Sequence, residues 1–134
     1  MKGPSGETLS VEECLELLRS AGLGRVAVRI GDAPAILPVN FALLDEEVVF
    51  RTDPGTKLTA ALMGVRVAFE ADHADPATRA GWSVLVVGRA EEIRDRSTLE
   101  RVDTLDLEPW VAEAPDFVVR IRTERITGRR VQKG

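Results

Sequence analysis

The 134-residue sequence predicts a small, mainly β domain, an antiparallel barrel with short helices, and three observations carry that prediction. Apolar and polar residues alternate along most of the chain, the period of a half-buried strand. Short turn segments such as Gly31-Asp32 and Asp53-Pro54-Gly55 join the alternating runs, with no βαβ rhythm. Gly88 interrupts the longest run, where a curling sheet needs a bulge or bend. The pattern gives six to seven strands and three short helices in a single domain spanning 1–134.

Taken in order, residues 1–7 are rich in small and turn-forming residues and are expected to be frayed or disordered. Ser10 and Glu13 have capping-box spacing, and Val11, Cys14, Leu15 and Leu18 recur at helical spacing until Gly22 and Gly24. Val26, Val28 and Ile30 alternate as a strand, and a second runs through Ala35, Leu37, Val39 and Phe41. Pro38 has no N–H for a ladder, which places this second strand at an edge or a bulge. Residues 48–52 form a third strand of an antiparallel meander. Thr56 is positioned to cap a short helix whose apolar face is Leu58, Ala61 and Leu62, ended by Gly64. Val65 to Ala71 alternate as a fourth strand, residues 72–80 form a polar loop, and residues 82–93 make a long fifth strand. Ser97 and Glu100 suggest a second capping box, with Glu108-Pro109-Trp110 ending that helix. A strand over 117–122 and a short last one over 126–131 complete the barrel.

Composition narrows the function. The net charge of −4 and pI of about 5.1 argue against a broad nucleic-acid surface. No apolar run approaches the roughly 18 residues of a membrane span, and the N-terminus lacks the apolar stretch of a secretory signal. A lone Cys14 cannot form an internal disulfide, so a cytoplasmic location is expected. One histidine, His73, and one cysteine far apart in sequence do not make a metal site. His73 reads as a solvated loop residue or a site contact, and Cys14 as a small buried hydrophobe. There is no nucleophile elbow, dinucleotide fingerprint or P-loop, and no catalytic acid, base or nucleophile can be named.

One segment stands apart. Fifteen of the cationic residues are arginine and three are lysine, and Lys57 is the lysine away from the termini. It follows a strand and a glycine-containing turn, with Thr52 and Thr56 nearby and Arg51 as a further donor if its side chain turns inward. Hydroxyls, an ammonium and the unpaired N–H groups of a starting helix are the makings of a phosphate cradle. Thr56 is equally an ordinary helix cap.

The order of motifs resembles the FMN-binding split β-barrels of the pyridoxamine 5'-phosphate oxidase-like family, in particular the nitroimidazole-reductase-like branch. The stretches that carry the resemblance are 24–28, Pro38-Val39-Asn40-Phe41, Val48 to Leu58, residues 67–72 and residues 83–91. It covers about residues 8–131, nearly the whole chain. The resemblance implies an oxidoreductase that transfers a hydride to or from a small organic substrate, with FMN held at the interface of a homodimer. In such proteins Pro38, Val39 and Asn40 would face the flavin ring, and Thr52, Thr56 and Lys57 would hold its phosphate. Trp82 or Ser83 would approach from the side, and Trp110 would cover the site or anchor an interface. Two positions depart from the family: Thr56 stands where many relatives have arginine, and Arg51 where the nitroimidazole branch often has histidine. The alternatives that stay open are a non-catalytic protein that binds flavin or another phosphorylated ligand, and a deazaflavin-dependent reductase.

Overall fold

A computed structural model describes residues 5–107 and 117–132. Seven strands form one antiparallel sheet: β1 (Ser5–Thr8), β2 (Leu23–Ile30), β3 (Ala33–Leu44), β4 (Glu47–Thr52), β5 (Arg66–Asp75), β6 (Ala80–Glu92) and β7 (Phe117–Gln132). Their order is β1-β7-β4-β3-β2-β5-β6, and β6 also pairs with β7, so six strands close on themselves and β1 rides on the end of β7. Three helices decorate this barrel: α1 (Val11–Ser20), α2 (Lys57–Leu62) and α3 (Arg96–Asp103).

The period-2 alternation decides which side of each strand faces inward. Val26, Val28, Val39, Phe41, Phe50, Phe69, Ala71, Val84 and Val86 are buried in the barrel, where the rings of Phe41 and Phe69 meet edge-on with centroids 4.8 Å apart. Cys14 and Leu18 of α1 and Leu62 of α2 join the same core. A second, smaller core lies outside β4 and β7, where Val49 and Val118 pack with Val102 of α3, Ile93 and Leu107.

Several local expectations are met. Ser10 and Glu13 form the reciprocal capping box of α1, Gly31 turns β2 into β3 at φ 61°, and the β6–β7 register shifts between Val87 and Gly88. Pro38 does lie on a half-edge. The β3–β4 ladder ends at Phe41↔Phe50, so residues 33–40 of β3 pair with β2 alone.

Four expectations are corrected. Of the N-terminal segment expected to fray, residues 1–4 lie outside the described residues, whereas 5–8 form β1, which pairs with 129–132 of β7 although the segment has no apolar alternation. The two C-terminal strands are one 16-residue strand, because β6 runs beside β7 almost throughout and holds it extended across the polar stretch 123–125. The polar loop shrinks to a turn over 76–79, since β5 continues to Asp75 and β6 starts at Ala80. Finally, α3 is capped by Asp95, whose carboxylate accepts from the Thr98 N–H at 3.0 Å and from the hydroxyls of Ser97 and Thr98 at 2.7 Å each. The helix starts two residues earlier than the capping-box spacing suggested, so Asp95 takes the cap and Ser97 donates to it. Glu108 to Trp110 lie outside the described residues.

Candidate functional site

The gap where β3 leaves β4 is the structural feature from which the site is built. Beyond Phe41↔Phe50 the two strands part, β4 ends at Thr52, and the chain turns through Asp53-Pro54-Gly55 into α2. Side chains alternate across β3, so Pro38 and Asn40 face outward while Val39, 2% exposed, is in the core. Of the three positions assigned to a ring, Val39 therefore contributes backbone only.

Cross-strand register extends this outer face. Pro38 lies opposite Arg25, Arg25 opposite Glu70, and Glu70 opposite Leu85. Ser83 faces Asp72 on the same side. Trp82, one residue earlier, points to the other side of the sheet and packs against the barrel core. The two alternatives at this position thus separate: Ser83 shares the face of Pro38 and Asn40, and Trp82 does not. Leu23 and Leu85 on this face are each 38% exposed and Ile36 is 70% exposed, leaving a partly apolar surface.

Charge on the face is concentrated in three groups. Arg25 Nη1 lies 3.2 Å from Glu70 and 3.7 Å from Asp72. Partial burial pushes the Glu70 carboxyl up to about 7, helped by the neighbouring Asp72 and opposed by Arg25. Because the folded protein holds this proton where an unfolded chain releases it, the contribution of Glu70 to stability falls as pH rises from about 4.5 to 7. Melting temperatures of the parent and a Glu70→Gln variant, measured between those limits, are expected to show a downward slope that the variant lacks. Parallel curves would contradict the assignment.

The corner proposed for phosphate is organised around a residue that sequence reasoning missed. Thr59, 2% exposed, donates its hydroxyl to the Asp53 carbonyl at 2.6 Å and lies 3.0 Å from the Thr52 hydroxyl. With its own proton committed, Thr59 accepts from Thr52. The Thr56 hydroxyl donates to Thr59 at 2.9 Å and accepts from the Thr59 N–H at 3.1 Å, the N-cap bond of α2. The protons of Thr52 and Thr56 are thus used internally. The spacing Thr52, Thr56, Thr59 around a helix start was the available signal. Asp53 adds a carboxylate here, accepting from the Gly55 N–H at 2.8 Å.

Arg51 does not turn inward. It sits one residue from Thr52 and so faces the opposite side of β4, where its Nε donates to the Leu107 carbonyl at 3.1 Å and its Nη2 bonds Asp103 at 3.0 Å. It ties α3 and the segment after it to the barrel. Lys57, exposed at the first turn of α2, has no ion pair among the described residues and is the cation left at this corner. Trp110 falls outside the described residues. Among them, no cluster of three or more His, Cys, Asp or Glu could hold a metal, and no helix is long and apolar enough to cross a membrane.

The closed antiparallel barrel of six strands, with β1 added on β7 and three short helices outside it, has the architecture of the split β-barrel class. The chain belongs to the pyridoxamine 5'-phosphate oxidase family, whose model matches residues 10–130. An uncharacterized protein of Mycobacterium tuberculosis H37Rv is 42% identical over 128 residues, 92% of this chain and 84% of the relative. Among solved structures, the FAD binding protein from Mycobacterium smegmatis is 41% identical, with a TM-score of 0.85 over 96% of this chain and 100% of that one. An FAD-binding protein from Mesorhizobium loti is 28% identical, with a TM-score of 0.77 over 98% and 100% of the two chains.

Proposed function

We propose that this protein is a homodimeric flavin-dependent oxidoreductase acting on a small organic molecule. The flavin ring lies along the outer face at Pro38 and Asn40, and its phosphate lies near Lys57. The observation that carries this reading is the parting of β3 from β4, which leaves an open strand beside the single uncommitted ammonium of the corner. A flat outer face of Pro38, Ala27, Leu23 and Leu85 suits an aromatic ring, and the Asn40 amide supplies directional hydrogen bonds to ring heteroatoms. The exposed Ile36, Leu23 and Leu85 favour a second copy of the chain closing over the same face. Such a partner excludes water from the ring and completes the site.

The corner also bears on which flavin is held. The terminal phosphate of FMN is a monoester that concentrates about −1.5 to −2 charges on one phosphorus at neutral pH, whereas FAD, whose two phosphates each carry one ester and share an anhydride, spreads about the same total charge over two phosphates. Thr52 and Thr56 spend their protons on Thr59, Arg51 is bound to Asp103, and Asp53 adds negative charge. One lysine meets the single charge of one FAD phosphate better than a dianion concentrated on one phosphorus. We therefore assign FAD in preference to the FMN that the motifs alone suggest; both solved relatives described above are FAD-binding by name.

When bound, a flavin supplies two-electron hydride chemistry. The residues of this chain position it: Asn40 orients the ring edge, Pro38 gives it a flat seat, and Lys57 holds the phosphate. Glu70 and Asp72 lie on the same face, with Glu70 able to hold or release a proton near neutral pH.

Purified protein is expected to show a flavin absorption band, and mass analysis of the released chromophore to give FAD. Lys57→Ala should weaken flavin binding about tenfold, the loss of one charge-assisted hydrogen bond, with little change in stability. Colourless protein that binds neither FAD nor FMN would overturn the reading. Release of FMN would overturn the FAD assignment alone, and a deazaflavin would redirect it. Bound flavin that no nicotinamide donor reduces would instead support the non-catalytic carrier.

A further inference from the structure

Beyond the rim of the barrel, β5 and β6 continue as a hairpin, flanked by the ends of β7 and β1. Register in this extension sets His73 opposite Trp82 and Trp82 opposite Arg130. Directly opposed residues of an antiparallel ladder project to one face. Imidazole, indole and guanidinium therefore stand side by side on the face covered by α1, which is the reverse of the face that carries Ser83 and Leu85. With Leu17, Thr78 and Val131 they line a cleft of about 310 Å³, at the lower end of ligand-site sizes.

Arg130 marks this cleft as more than a surface dent. Its Nε is buried with no hydrogen-bond partner among the described residues, and it makes no ion pair with them. With no ion pair to any described residue, the guanidinium that lines the cleft is uncommitted and open to an anion that enters it. Glu13 senses the Arg130 charge without contacting it, Glu7 lies opposite Arg130 on β1, and Asp75 lines the cleft. These three carboxylates lower the potential at the rim. Their repulsion rises with the charge of the ligand and so weighs more heavily against a dianion than against a monoanion. The indole of Trp82 and the side chain of Leu17 supply an apolar, planar-selective wall.

We infer that the His73–Trp82–Arg130 row binds a small planar monoanion, an aromatic carboxylate, with its carboxylate on Arg130 and its ring against Trp82. Guanidinium and carboxylate match as a two-pronged pair. The inference does not depend on the flavin reading, because the cleft uses the opposite face of β6.

Benzoate is the probe. In a Trp110→Phe background Trp82 is the sole tryptophan, and benzoate should quench its fluorescence saturably in the millimolar range or below. Benzamide, equal in shape and uncharged, should bind at least tenfold more weakly, and inorganic phosphate should not compete. Arg130→Gln should weaken benzoate at least tenfold while the flavin content stays unchanged, and Arg130→Lys should fall between. No saturation with benzoate, equal binding of benzamide, or tighter binding of phosphate would each overturn the proposal. The benzamide comparison is made without altering Arg130, so it decides the question even if the arginine variants fold poorly.

Discussion

Truncating Phe50 to alanine is expected to destabilise the protein by about 3–5 kcal/mol, the usual cost of deleting a fully buried aromatic ring. Phe50 is 0% exposed and pairs with Phe41 on β3 and Val119 on β7. It is the last rung before β3 and β4 separate. The cavity would open where the barrel is already split, and β4 there has only β7 to hold it. Thermal unfolding should move down by about 10–20 °C for a chain of this size. Because Thr52 and the Asp53 turn follow directly, flavin binding should weaken as well. A loss below about 1 kcal/mol would mean that the corner collapses around the missing ring and is not close-packed there.

Gly88→Ala is expected to have the second largest effect, about 1–3 kcal/mol or somewhat more. A Cβ at this position would run into the carbonyl oxygen of Arg122 on the neighbouring β7, with Ile121 Cγ2 close behind at 3.1 Å. The obstacle is backbone, which cannot rotate away as a long side chain would. Relief requires β6 and β7 to separate at the bulge that sets their register. Those strands close the barrel, so the disturbance should reach both the outer face and the cleft beyond the rim. Denaturant unfolding measures the loss. An unchanged midpoint would show that the bulge is soft enough to absorb a methyl group.

What the sequence determined by itself is whatever follows from neighbours along the chain. Alternation fixed which side chains of β2, β3, β5 and β6 enter the core, and a missing N–H at Pro38 marked a strand with a free side. The spacing of Ser10 and Glu13 defined a helix start, and Gly88 marked the bulge. The segment carrying Lys57 was legible as a strand end, a turn and the start of a short helix capped by Thr56.

Only the tertiary structure decided which groups at that corner are free. A hydroxyl or guanidinium is available to a ligand only if nothing in the protein has already taken it. The partners that take these come from elsewhere: Leu107 and Asp103 are more than fifty residues from Arg51, and Thr59 turns inward because α2 packs on the barrel. Likewise Ser5–Thr8 has no strand pattern of its own and becomes one because β7 offers an unpaired edge. His73 and Arg130, fifty-seven positions apart in the numbering, become neighbours of one indole through register. Periodicity is a property of the local backbone, whereas pairing and saturation of polar groups depend on which distant segments meet.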